Sequence, residues 1–174
     1  MRHVLAVLVE NQPGVLVRVA GMFSRRGFNI ESLAVGETHV PEYSRMTVTV
    51  SGDQAVVDQI VKQLNKLIEV ISVDILPETA SIARGLALIK VLAGEKRSEV
   101  LKLAEIFRAG VIDISGETVT LEITGDEEKI QALTGLLKPY GIAEFVSTGV
   151  IGLRRGVTTI YQIEECRDYE QIIL

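Results

Sequence analysis

Cysteine occurs once in the 174 residues, as Cys166, which excludes an intrachain disulfide and any metal cluster built on several thiolates. Glu164, Glu165 and Asp168 beside it disfavour a thiolate, so Cys166 reads as chemically inert. Tryptophan is absent and aromatic residues make up 5% of the chain, which leaves no stacking platform for single-stranded nucleic acid and makes the core aliphatic. The net charge is −5 and no Lys/Arg cluster is sustained, so a phosphate-neutralising surface for nucleic acid is excluded. No apolar run approaches the roughly 20 residues that span a bilayer. Met1-Arg2-His3-Val4 opens no secretory signal. The expectation is a cytoplasmic protein that meets neither membrane nor nucleic acid.

Catalytic groups are equally sparse. The two histidines, His3 and His39, stand in different local contexts, and neither has the spacing of a zinc site or a triad. Glu10 and Glu31 are a pair of carboxylates that adjacent strands could bring together as acid and base. The plainer reading leaves each solvated, or paired with Arg18 or Arg45. Glycines and arginines recur in residues 149–156, but that stretch follows a strand and opens no helix, which makes a poor phosphate loop. No catalytic residue and no metal ligand is assigned, so the chain reads as a non-enzyme.

What the chain does have is aliphatic residues in regular patterns, with 47% of positions hydrophobic. Residues 4–9 (Val-Leu-Ala-Val-Leu-Val) have the length and branching of a buried strand. Val15, Leu16, Val19, Ala20 and Phe23 then share one helix face, and Arg25-Arg26-Gly27 closes that helix. Residues 29–35 read as a second strand. In the third, Met46, Val48 and Val50 alternate with Arg45, Thr47 and Thr49, the period of a half-buried strand. Ser51 and Gln54 have capping-box spacing ahead of a helix carrying Val56, Val57, Ile60, Val61, Leu64 and Leu67. Ile71, Val73 and Ile75 alternate with Ser72 and Asp74 in a fourth strand. The order is βαββαβ, the split plan of ferredoxin-like domains. After a linker the order repeats: a strand at 86–92, a helix through Val100, Leu101, Ala104 and Phe107, strands at 111–114 and 119–123, a helix through Ile130, Leu133 and Leu137, and a strand at 142–146. The fold class is therefore α+β, two ferredoxin-like domains in tandem. The divisions fall at 1–77, a linker at 78–84, 85–156, and a tail at 157–174.

The strand at 4–9 is apolar at every position, so both its faces need cover. The cover comes either from the rest of the chain or from another chain. An oligomer with sheets joined edge to edge or face to face is the favoured reading.

The most informative stretch is Glu10-Asn11-Gln12-Pro13-Gly14-Val15-Leu16, at the junction of the first strand and helix. Asn11 suits a helix cap, Pro13 a first turn, and Gly14 a close approach of ligand to backbone. Unpaired N–H groups at a helix start bind carboxylate or phosphate. On composition alone, Asn11 and Asn29 would be structural residues of a cap and a turn.

Residues 7–19 resemble the opening of an ACT domain, a small module that commonly senses amino acids. With Gly21-Met22-Phe23-Ser24-Arg25-Arg26-Gly27-Phe28-Asn29-Ile30-Glu31-Ser32-Leu33, the chain closely resembles the small regulatory subunits of acetolactate synthase, also called acetohydroxyacid synthase. Ser44-Arg45-Met46-Thr47, Gln63-Leu64-Asn65-Lys66-Leu67, Glu105-Ile106-Phe107-Arg108 and the 149–156 segment extend the likeness across both halves, and nothing is carried onto residues 157–174. The resemblance implies a non-catalytic subunit of branched-chain amino-acid biosynthesis. It implies that the chain binds a large catalytic subunit holding thiamine diphosphate, Mg and FAD, raises that subunit's activity and confers feedback inhibition by L-valine. No cofactor is implied for the chain itself. The implied effector site lies between ACT domains paired in a homodimer. Asn11 and Gly14 come from the loop of one chain, Asn29 and Ile30 from the start of the partner's second strand, and Val15, Leu16 and Ile30 offer an apolar wall. Two rivals stay open: an ACT-type sensor serving another enzyme, and an assembly module that binds no ligand.

Overall fold

The computed structural model describes residues 1–162, so Cys166 and the rest of the tail lie outside the described residues. Two compact units form: Met1–Ile82 joined by residues 150–162, and Ala83–Gly149.

In the first unit the strands are β1 (Arg2–Glu10), β2 (Ser32–Glu37), β3 (Tyr43–Ser51) and β4 (Val70–Leu76), with helices α1 (Val15–Arg25) and α2 (Gln54–Leu64). The sheet order is β2-β3-β1-β4, with antiparallel neighbours. Leu5, Val7 and Val9 of β1, with Met46, Val48 and Val50 of β3, pack under Val15, Val19, Met22 and Phe23 of α1 and Val57, Ile60 and Leu64 of α2. Each such buried side chain contributes roughly 1.5–3 kcal/mol. Three local expectations need correction. The α2 cap is Asp53, whose carboxylate accepts from Val56 N–H at 2.9 Å, whereas Ser51 ends β3 and its hydroxyl donates to Glu31. The second strand starts at Ser32, not at residue 29. The chain leaves α1 through paired bonds, Phe28 N–H to Phe23 O and Gly27 N–H to Ser24 O, and reaches the ladder only at Ser32 opposite Thr49. Ile71 does not share a face with Val73. A bulge opposite Leu8 and Val9 turns Ile71 to the other side of the sheet.

The face of this sheet opposite the helices is covered by the chain itself. After the second unit, Val150 and strand β9 (Ile151–Arg154) return to the first unit. Val150 N–H donates to Ser32 Oγ (3.3 Å), Arg45 donates to Gly152 O (2.7 Å), and Arg154 grips the Asp74 carboxylate with two bonds of 2.7 and 2.5 Å. Gly152 passes so close to the sheet that a Cβ would come within 2.7 Å of Leu76 Cδ1. Ile160 then packs on Ala6, Leu8, Ile71 and Leu76. This return explains why β3 and β4 are not half-wet: Thr47, Thr49, Ser72 and Asp74 are all buried. It also answers the double-sided apolarity of β1, and the cover is at least partly intramolecular. Burial pushes the Arg45 guanidinium below its ordinary pKa, opposed by the charge of Asp74, while the hydrogen bonds that Arg154 donates to Asp74 raise its own.

The second unit repeats the plan. Its strands are β5 (Ser81–Leu92), β6 (Gly110–Ile114), β7 (Thr118–Gly125) and β8 (Ile142–Ser147), in the order β6-β7-β5-β8, with helices α3 (Arg97–Phe107) and α4 (Glu127–Leu137). Ala87, Ile89 and Val91 of β5 and Val119, Leu121 and Ile123 of β7 pack against Val100, Ala104, Ile130, Leu133 and Leu137. Two boundaries differ from the sequence reading. Residues 81–84, read as linker, are already strand β5, and residues 150–156, read as second domain, belong with the first unit. Residues 150–156 follow the second unit along the chain, but their hydrogen-bond partners Ser32, Arg45 and Asp74 lie in β2, β3 and β4.

Arg154→Met leaves the Asp74 carboxylate, 4% exposed, without its cation. The expected loss is about 3 kcal/mol of stability, read as a lowered urea midpoint. A change below about 0.5 kcal/mol would show that the return segment is not anchored by this pair.

Candidate functional site

The loop between β1 and α1 is held from both sides. Glu10 N–H donates to Glu69 O (2.9 Å) and Asn11 N–H to Glu42 O (2.7 Å). The Asn11 side chain is not the helix cap that its position suggested. Its Nδ2 donates to Pro41 O (2.8 Å) and reaches Glu37 Oε2 at 3.4 Å, and its Oδ1 accepts from Ser44 Oγ (2.9 Å). The amide is therefore tied to the β2–β3 connection, and the cap position falls to Gly14. Gly14 has φ +88°, a left-handed conformation, with no heavy atom within 4 Å of where a Cβ would stand. Glycine is required there by backbone conformation, not by space.

Beyond Gly14 the helix offers donors. Val15 N–H reaches Gln12 O at 3.4 Å and Arg18 N–H bonds to Gly14 O at 3.0 Å, but among the described residues no backbone acceptor takes the N–H of Leu16 or Val17. With the positive end of the helix dipole these donors suit a small anion. Arg18 is engaged in an ion pair with Glu69, which keeps its cation beside the loop. Of the apolar wall named from sequence, Val15 is committed to the core, Leu16 is 42% exposed at the helix start, and Ile30 is half-buried against the core of the first unit.

Asn29 and Ile30 lie past the other end of α1. Eleven residues at 1.5 Å rise separate the two groups by about 16 Å along the helix. One chain therefore does not bring Asn11 and Gly14 together with Asn29 and Ile30. The carboxylates Glu10 and Glu31 are likewise apart: Glu10 pairs opposite Tyr43 at one end of β3, while Glu31 N–H bonds Thr49 O and its carboxylate meets Arg2 at 3.2 Å. The anticipated partners differ too, since Arg18 holds Glu69 and Arg45 holds Gly152 O. His39 stacks edge-on against Tyr161 at 5.8 Å and His3 lies in β1. At the equivalent junction of the second unit, Arg97 is spent on Ser115 O and Gly116 O.

Glu37, Pro41 and Ser44 were not singled out as site residues. They reach Asn11 only through the antiparallel pairing of β1 with β3, from 26 to 33 positions along the chain.

A sequence profile described as "AHAS small subunit-like ACT domain" matches residues 5–72, and one described as "Small subunit of acetolactate synthase" matches residues 84–156. A protein of Archaeoglobus fulgidus named "Probable acetolactate synthase small subunit" is 54% identical over 157 residues, 90% of this chain and 98% of that one. The "Acetolactate synthase small subunit" of Mycobacterium bovis is 52% identical over 155 residues, covering 88% of this chain and 92% of its own length. The crystal structure of the acetolactate synthase small subunit from Thermotoga maritima superposes with a TM-score of 0.85 at 40% identity, covering 91% of this chain and 99% of that one.

Gly14→Ala is expected to cost about 1–2 kcal/mol, because it strains the backbone without a clash, and Gly14→Asn less, since asparagine tolerates the left-handed region. Thermal unfolding of the two variants checks the order. Equal and negligible losses would mean that the loop relaxes out of this conformation.

Proposed function

Because the chain belongs to the family of acetolactate synthase small subunits, we propose that it is the regulatory, non-catalytic partner of a large acetolactate synthase subunit, raising its activity and conferring feedback inhibition by L-valine. The catalytic chemistry, with thiamine diphosphate, Mg and FAD, would reside in the large subunit. The proposed setting is the cytoplasm, and no helix among the described residues is long and apolar enough to cross a membrane.

The observation that carries the effector reading is the start of α1: a left-handed Gly14 followed by the unpaired N–H groups of Leu16 and Val17, inside the part of the chain matched by the ACT profile. The ligand's carboxylate sits on those groups and its side chain against Leu16. The 16 Å that separates Gly14 from Asn29 supports a site made by two chains. A two-fold axis perpendicular to α1 would set the two equivalent helices antiparallel, so that the start of one α1 meets the Asn29–Ile30 end of its partner. Strand β2 supports the same dimer. Among the described residues it pairs with β3 alone, and its Val35 is 50% exposed. A ligand that binds one dimer arrangement better shifts the assembly toward it, with typical coupling of about 1–3 kcal/mol.

One observation favours the second reading, an assembly module without a ligand. The Asn11 amide is already engaged by Pro41, Ser44 and Glu37. Calorimetric titration of the full chain with L-valine, L-leucine and L-serine separates the two. Saturable binding that favours valine and weakens in Asn29→Ala is expected, and silence toward every amino acid would favour the assembly module.

Gly14→Asp puts a negative charge where the carboxylate binds. With Gly14→Asn as the neutral control for backbone strain, it is expected to abolish valine inhibition of the reconstituted enzyme while activation of the large subunit persists. Equal loss of both activities in Gly14→Asp would count against this placement of the effector.

A further inference from the structure

A helix start binds any small carboxylate. An amino acid, the 2-oxo acid with the same side chain and the corresponding 2-hydroxy acid all present that group, and differ only in what Cα carries. Selection of the amino acid therefore requires an acceptor or a negative charge for its ammonium, placed beside the carboxylate cradle.

Asn11 stands three residues before Gly14, and the valences of its side-chain amide can be counted. Both Nδ2 hydrogens have acceptors, Pro41 O at 2.8 Å and Glu37 Oε2 at 3.4 Å, and one lone pair of Oδ1 is taken by Ser44 Oγ at 2.9 Å. One Oδ1 lone pair remains, enough for a single neutral hydrogen bond. The full charge comes from Glu37, whose carboxylate is an acceptor only. Among the described residues Glu37 is paired with no Lys or Arg, whereas Glu31, Glu69 and Asp74 of the same unit each have an arginine. Glu37 ends β2, the edge strand, and its position is fixed through Asn11 to the same loop that ends in Gly14.

We propose that Glu37 is the specificity-determining residue of the effector site, supplying the countercharge that selects an α-amino acid over the 2-oxo or 2-hydroxy acid of the same skeleton, with Asn11 holding it in place. This inference rests on the reading of the α1 start as the effector site. Glu42, whose backbone oxygen accepts from Asn11 N–H, and Glu10, at the end of β1, are the other carboxylates of the loop. Neither carboxylate has a hydrogen bond to the Asn11 amide.

Glu37→Gln keeps an acceptor for Asn11 and removes only the charge. The full chain and this variant are titrated calorimetrically with L-valine and with 3-methyl-2-oxobutanoate, the 2-oxo acid carrying valine's side chain, and Glu42→Gln serves as the parallel control. The wild-type chain is expected to favour valine. In Glu37→Gln valine should bind about five- to tenfold more weakly, as for loss of a charge-assisted contact near the surface, with the affinity for the oxo acid unchanged or higher. Thermal unfolding of the variant should match wild type, since Glu37 is exposed. An unchanged preference in Glu37→Gln, or a preference lost in Glu42→Gln instead, overturns the assignment while the wild-type valine signal still stands. A wild-type chain that binds neither ligand overturns the effector reading itself, and this inference with it.

Discussion

Strand β1 must be buried on both faces, and the rest of the first unit is arranged around that requirement. Leu5, Val7 and Val9 face the helices, while Ala6 and Leu8 face away from them. The two helices of a βαββαβ unit reach only one side of the sheet, so the second face needs a layer that the repeat does not contain. The returning segment is that layer. Because it carries Arg154 onto Asp74 and Gly152 O onto Arg45, it seals a face that is partly polar, and each buried charge on it has a partner. The first unit is thus built from two stretches separated by the whole of the second unit. Its stability depends on residues far from its own repeat.

A similar economy shapes the loop at the start of α1. Two backbone bonds, to Glu69 O and Glu42 O, fix the end of β1, and the Asn11 amide fixes the turn against the β2–β3 connection. The chain then enters the helix through a left-handed Gly14. Donors held this way lose little freedom when a ligand arrives, which is the physical meaning of preorganisation. The length of α1 sets the other half of the arrangement. It keeps Asn29 and Ile30 well away from Gly14 within one chain, so a ligand touching both groups must bridge two chains. Occupancy of the proposed site is then tied to assembly, and a small ligand acquires leverage over a large complex.

Much of this was legible in the amino-acid order. Period-two and period-3.6 patterns located both βαββαβ units, because each element needs one apolar face whatever its neighbours are. The Asn-Gln-Pro-Gly junction was visible for the same local reason, since turn and helix-start chemistry depends on a few adjacent residues. Where local rules competed, they chose wrongly. Asn11 is a good cap residue, but its amide found better partners in Pro41 and Ser44. Ser51 and Gln54 have capping-box spacing, yet Asp53, directly before the helix, takes the role.

The sequence by itself determined the order of the strands and helices within the two repeats, the aliphatic core, the doubly apolar β1 and the glycine at the start of α1, all of which follow from interactions within a few residues or from periodicity. Only the tertiary structure decided that Arg154 pairs with Asp74 across 80 positions, that Thr47, Thr49 and Ser72 are interior, and that Glu37 and Ser44 stand at Asn11. A salt bridge or hydrogen bond between distant residues leaves no periodic trace. Its formation depends on which strands pair, in which register, and on where a returning segment comes to rest.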